Sequence, residues 1–246
     1  MSGAEQTVKN MIRARVEAQP EGLRVALKNL WNEIKAARIV RSSAKSFDAL
    51  RGRKNLKLHV GAGDDIKLGW VNIDLNLRVP PHIDPAKHPD TIFINHDLRR
   101  GLPLDDASCD LIYSSHFFEH LEYTQGVRLM RDCHRVLRPG GVFRISLPDF
   151  KGLFEAYLKR DEEYVDGVRI REVLPEVEAG TETLVDHVNY GVYQYGEHKC
   201  VYDEEKVCLL LEHIGYSRVA PTEFREDVDP PSPLRRRYSF YVEAVK

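Results

Sequence analysis

Three groups of residues have the types and spacing to do chemistry. Gly61-Ala62-Gly63 follows the apolar run at 56–60, and a second apolar run ends on Asp74. Glycines there let backbone N–H groups approach a ligand closely, and an acid at the next strand tip can accept ribose hydroxyls, so the segment suits a nucleoside cofactor. Further on stands His116-Phe117-Phe118-Glu119-His120, and beyond it a stretch at 161–200 rich in His and Tyr, including His187, His198, Tyr190, Tyr193 and Tyr195. Histidines titrating near neutrality are candidates to take a proton from an acceptor hydroxyl.

Spacing limits the first group. Gly63 and Asp74 lie 11 positions apart, whereas a dinucleotide fold places the acid about 20 residues on and adds a third glycine. The connection therefore has room for a helix of a turn or two at most, and a pyrophosphate resting on a long helix N-terminus is disfavoured. The His116–His120 run matches the H-x-x-E-H zinc-peptidase pattern, which needs one continuous helix to set two ligands a turn apart. Here it crosses from a strand end into a helix start, and no downstream acid offers a third ligand, so no metal is expected.

The elements positioning these residues alternate. Short apolar runs at 56–60, 70–75, 91–97, 109–116 and 141–147 read as buried parallel strands. A helix over 124–137 carries Leu129, Met130, Cys133, Val136 and Leu137 on one face and stops at Arg138-Pro139-Gly140-Gly141. Asp149 and Asp203 are placed to cap further helices, the second ending at Gly215. Final strands near 217–224 and 238–245 leave no room for a helix between them and should pair antiparallel. Residues 161–200 lack clean periodicity and read as a lid-like insertion.

The N-terminal part differs in character. Residues 5–40 read as helix interrupted near Pro20, with Leu23, Ala26, Leu27, Leu30, Trp31 and Ile34 forming a stripe that needs a covering surface. RSSAKS at 41–46 reads as a linker before a second short helical piece. Residues 1–54 carry 12 Lys/Arg against 5 Asp/Glu, although the whole chain has a formal charge of −2. That surplus reads as a solvated helical face on an acidic body, or alternatively as a footprint for an anionic partner; without aromatic interleaving or a nucleic-acid module, nucleic acid is not expected. A basic arm or cap at 1–54 and a main domain at 55–246 follow, with a dimer through the N-terminal helices left open. The first ten residues have no apolar core of signal-peptide length, no run approaches a bilayer span, and Cys109, Cys133, Cys200 and Cys208 form no C-x-x-C pair, so a cytoplasmic location is expected.

Taken in order, these segments resemble the class I S-adenosylmethionine-dependent methyltransferases. The resemblance rests on Gly61-Ala62-Gly63 after the first strand, Asp74 at the second, and Asn95-His96-Asp97-Leu98 after the third. It continues through Leu102-Pro103-Leu104-Asp105-Asp106, Cys109-Asp110-Leu111-Ile112-Tyr113, Phe118-Glu119-His120-Leu121 and the entry to the fifth strand at 137–143. Gly-Trp-Val-Asn-Ile-Asp at 69–74 after a short Gly-x-Gly turn is similar to a predicted bacterial subgroup with a reduced first crossover helix. The resemblance implies a Rossmann-like, seven-stranded, mostly parallel α/β sheet with a terminal antiparallel pair, here preceded by an N-terminal helical extension. It implies S-adenosyl-L-methionine as cofactor, with contacts at His59, Gly61, Ala62, Gly63, Asp74, Leu75, Asp97, Leu98 and Ser114. His59 occupies the place, two before Gly61, where the family usually carries an acid. Candidate catalytic groups are His116, His187 and His198, and the expected reaction is O-methylation of a small-molecule or sugar/glycan acceptor. A non-catalytic methyltransferase-like binding or scaffold protein is the alternative, followed by an NAD-dependent dehydrogenase.

Overall fold

A computed structural model describes residues 19–165, 170–175 and 177–246. Its seven strands are β1 (Leu56–Val60), β2 (Val71–Asp74), β3 (Ile92–Asn95), β4 (Cys109–Ser115), β5 (Leu137–Pro148), β6 (Arg218–Thr222) and β7 (Ser239–Val245). They form one sheet in the order β3-β2-β1-β4-β5-β7-β6. β1 to β5 run parallel, and β7 is antiparallel to both β5 and β6. Leu58, Val60, Ile73, Ile112, Phe143 and Ile145 share one face of the central strands and are fully buried, while the opposite face buries His59, Asn72, Tyr113 and Arg144.

The fifth strand starts earlier than predicted. Leu137 pairs with Cys109 and Val142 with Leu111, so residues 138–141 bulge from the ladder rather than preceding it. Gly140 takes a positive φ there, and Gly140 N and Gly141 O bond the backbone of Lys246. A helix-ending Pro-Gly-Gly has thus been absorbed as a bulge.

α1 (Glu21–Asp48) is continuous, which corrects the expected linker at 41–46 and the separate short helix after it. Ser43 is buried, with its Oγ bonded to Val40 O and His96 Nδ1, so these serines back-bond within a helix instead of breaking it. Phe47 and the following Leu50 enter the main core. The N-terminal half of α1 keeps Leu23, Leu30 and Trp31 exposed, so the predicted stripe stays uncovered among the described residues. The helical piece expected before residue 19 lies outside them.

The β1–β2 connection contains no helix, not even the expected turn or two. Asp65 N bonds Ala62 O and Ile66 N bonds Asp64 O, giving consecutive tight turns. α2 (Tyr123–Val136) links β4 to β5 with Leu129, Met130, Cys133 and Val136 buried. α3 (Phe150–Lys159) is capped by Asp149 and α7 (Glu204–Ile214) by Asp203, the latter ending at left-handed Gly215, all as the sequence predicts. The insertion at 161–200 is more regular than expected, holding α4 (Glu162–Val165), α5 (Ile170–Val173) and α6 (Leu184–Tyr193), with α8 (Pro233–Arg237) before β7. Its C-terminal end is tied to the β4 tip, where Lys199 N and Cys200 N donate to Glu119 O at 2.7 and 3.1 Å.

Candidate active site at the strand tips

Sheet order puts the C-terminal ends of β1, β2 and β4 side by side, the place where open α/β sheets bind ligands. Gly61 N and Ala62 N turn back to Ile73 O. Gly61 has φ +74°, and a Cβ there would collide with the Phe117 ring, so this backbone needs glycine. Asp74 accepts from Gly63 N at 3.1 Å and Asn76 N at 2.9 Å, so one carboxylate shapes the glycine turn and the loop after β2 together. Leu75 and Asn76 line a cleft of about 330 Å³ with Glu33, Lys35 and Arg99, between α1 and the tips of β2 and β3.

Other expected cofactor residues sit deeper. Asp97 is buried and held by Arg99, whose Nε and Nη2 donate at 2.9 and 2.8 Å and whose backbone N also bonds it. Burial opposes its ionisation, but these bonds keep its carboxyl below the usual range. Leu98 is buried in the core, and Ser114 donates its hydroxyl to Val60 O, joining β4 to β1 beneath the loop.

His59 is 1% exposed, and its pKa falls to about 3 because burial, then the nearby Lys67 charge, disfavour the imidazolium. It faces Tyr113 with ring centroids 5.1 Å apart, and its Nε2 lies 4.0 Å from Asp65 Oδ2. Asp65 therefore brings a carboxylate beside the strand position that His59 occupies, two before Gly61. Sequence reasoning did not single it out, because it lies beyond the motif position. Three buried side-chain atoms here make no hydrogen bond, His59 Nδ1, Tyr113 OH and Arg235 Nη1, while Asp65 Oδ2 faces Lys67 Nζ at 3.4 Å.

The third group gathers around Glu119. β4 ends at Ser115, and His116 adopts φ +48°, a left-handed conformation that side chains other than glycine rarely take and that often marks functional sites. A 3-10 turn, Phe118–His120, follows. Glu119 is completely buried, both its carboxylate oxygens lack a hydrogen-bond partner, and burial raises its pKa to about 8. His116 Nδ1 lies 3.6 Å and His120 Nε2 4.0 Å from Glu119 Oε1. His116 Nε2 is 2.7 Å from Ser239 Oγ. From the insertion, His198 meets His120 edge to face at 4.9 Å between centroids. Burial lowers the pKa of both rings, so they are neutral at pH 7. Asp74 also acts on His120 electrostatically, so the cluster lies near the Gly61–Asp74 turn.

Of the candidate catalytic residues, His116 and His198 converge on Glu119, whereas His187 does not. His187 lines a separate cavity of about 130 Å³ with Phe150, Leu153, Tyr190 and Tyr238. Phe150 and Gly191 link the two regions, contacting His198 through ring packing and through its Nδ1. Tyr190 shapes that cavity; Tyr193 and Tyr195 are mostly exposed. The sequence shows Glu119 and His120 as part of a motif, but that motif lacks the continuous helix and downstream acid that would mark them as ligands.

A family model described as a methyltransferase domain matches residues 71–145. A protein of Mycolicibacterium smegmatis, described as a probable S-adenosylmethionine-dependent methyltransferase, is 34% identical over 85 residues, covering 35% of this chain and 32% of the relative. The matched stretch thus spans about a third of that relative's length. Among solved structures, a SAM-dependent methyltransferase from Archaeoglobus fulgidus aligns at 16% identity and TM-score 0.45, covering 87% of this chain and 94% of its own. One from Mesorhizobium loti aligns at 19% identity and TM-score 0.46, covering 82% and 96%. The methyltransferase-domain model thus lies across β2 to β5, and the description of the sequence relative agrees with it.

Proposed function

We propose that the protein is an O-methyltransferase that uses S-adenosyl-L-methionine and acts on a small-molecule or sugar/glycan acceptor. The observation carrying this reading is the grouping of His116, Glu119, His120 and His198 at the β4 tip, beside the Gly61–Asp74 turn and under the insertion.

The residues at the strand tips fit the cofactor. Asp74 would receive the ribose hydroxyls, the glycine turn would approach the nucleoside, and Leu75 would border the base. The buried atoms of His59, Tyr113 and Arg235 that make no hydrogen bond offer donors and acceptors for an amino acid end, beside the Asp65–Lys67 ion pair. Bound S-adenosylmethionine supplies a methyl group made electrophilic by a sulfonium. The protein's own residues then need to orient an acceptor and accept its proton. His116 suits the second task, since its Nε2 is held by Ser239 Oγ at 2.7 Å and its Nδ1 faces Glu119 at 3.6 Å. The cavity between α3 and α6, walled by Phe150, Leu153 and Tyr190, suits a compact acceptor. A basic arm at 1–54, a catalytic domain at 55–246 and a cytoplasmic location belong to the same proposal.

The test is calorimetric titration with S-adenosylhomocysteine and NAD, followed by turnover on a panel of hydroxylated small molecules and sugars. Binding of S-adenosylhomocysteine with methyl transfer to an oxygen supports the reading. Failure to bind it, or binding of NAD instead, overturns the reading; binding with no turnover on any acceptor leaves the scaffold alternative.

A further inference from the structure

Neither oxygen of the buried Glu119 carboxylate makes a hydrogen bond. Among the described residues, Glu119, His120 and His198 each offer a ligand-type atom, and these atoms lie within 4.8 Å of one another. We propose that Glu119, His120 and His198 form a binding site for a divalent cation of intermediate softness, such as Zn²⁺, Co²⁺ or Mn²⁺.

Hydrogen bonding shows why these three atoms need a partner. His120 Nδ1 lies 3.3 Å from Glu197 O, and His198 Nδ1 lies 2.7 Å from Gly191 O. A carbonyl only accepts, so each Nδ1 carries the ring hydrogen and each Nε2 is left as a lone pair. Metal-binding histidines are fixed in this way, with one nitrogen donating to a carbonyl and the other presented to the ion. Opposite them stands Glu119, with neither oxygen hydrogen-bonded although the residue has no exposed surface. Two imidazole lone pairs thus face a buried carboxyl group that makes no hydrogen bond, and a cation held by the ionised carboxylate satisfies all three.

Distance and chemistry agree. Ligands bonded at about 2.1 Å in a tetrahedral shell lie about 3.4 Å apart, and His120 Nε2 is 4.0 Å from Glu119 Oε1. Drawing the set together needs a movement of well under an ångström at that pair. Two imidazoles with one carboxylate favour zinc and its transition-metal neighbours over magnesium or calcium. Three protein donors leave coordination positions open for water or for an acceptor oxygen, whose pKa the ion lowers. That last role, unlike the binding itself, rests on the methyltransferase reading. The sequence pattern disfavoured a metal because it lacked a third ligand downstream. The insertion supplies one in His198, which is held against the β4 tip by the Lys199 and Cys200 amides.

The experiment titrates Zn²⁺, Mn²⁺ and Co²⁺ separately into full-length protein stripped by a chelator, with calorimetry for each and the visible spectrum for Co²⁺. Saturation at one equivalent is expected, with affinity at least about tenfold weaker in Glu119→Gln and His198→Ala and unchanged in His82→Ala, an exposed histidine elsewhere. Gln matches the shape of the buried acid, and His198 is only half-buried, so a folding defect in one variant leaves the other to decide. No saturable binding by any of the three cations, or binding that survives both ligand variants, overturns the site. Titration of S-adenosylhomocysteine into the same stripped protein separates the two proposals: the cofactor reading fails there, and the cation site fails in the metal titrations.

Discussion

Arg144 and Asp229 form an ion pair with both side chains fully removed from solvent. Arg144 sits on β5 opposite Glu243 on β7, and it also bonds Thr222 Oγ1 and Glu223 O, while Asp229 accepts from Arg225 N. The pair anchors the loop leading to α8, the helix that carries Arg235.

Removing one partner leaves the other charge buried and unpaired. Asp229→Ala is expected to destabilise the fold by about 3–5 kcal/mol. Urea unfolding followed by circular dichroism measures the loss, and an unchanged midpoint would contradict the assignment.

Gly61→Ala forces an L residue into a left-handed backbone and drives its Cβ into Phe117. The backbone alone costs about 1–2 kcal/mol. Lower stability is expected together with weaker S-adenosylhomocysteine binding, both readable in a thermal-shift titration with and without ligand.

Asp74→Ala removes the acceptor of two backbone amides and of the proposed ribose contact. Hydrogen bonds to a charged group are each worth about 1.5–3 kcal/mol. The calorimetric dissociation constant for S-adenosylhomocysteine is therefore expected to rise about tenfold to a hundredfold.

The buried His59 makes stability depend on pH. Its folded pKa of about 3 lies below the unfolded value of 6.5, so between these the unfolded chain binds the extra proton. Its contribution is complete above pH 6.5 and is lost progressively as pH falls toward 3. Unfolding midpoints of wild type and His59→Gln, measured across that window, should show the steeper acid loss in the wild type.

His116→Gln is expected to lower kcat by about a hundredfold or more, as loss of a general base does. Affinity for S-adenosylhomocysteine should be unchanged. Equal kcat values in the two proteins would remove His116 from proton transfer.

Much of the scaffold was legible because its signals are local. Alternating apolar runs located all seven strands, and Asp149, Asp203 and Gly215 marked helix ends by capping chemistry. Gly61 and Asp74 were legible for the same reason, since turn and acid are near in sequence and interact directly. Misreadings arose where a distant partner decided the outcome. Ser43 reads as linker because its partner His96 is distant, and the fifth strand is read from Gly141 rather than Leu137 because the 138–141 bulge is paired by the distant Lys246. The grouping of Glu119 with His198 has the same origin, because nothing local announces which turn an insertion will return to.

The missing helix between β1 and β2 has a counterpart elsewhere. Neither that connection nor the one from β2 to β3 holds an α-helix, leaving this end of the sheet without its usual cover. α1 fills the vacancy: Phe47 packs edge to face on His96, Ser43 bonds the same ring, and Arg99 reaches Glu33. The N-terminal helix is thus a prosthesis for an omitted crossover. Evolutionary lengthening of the β1–β2 loop and loss of this helix should accompany each other.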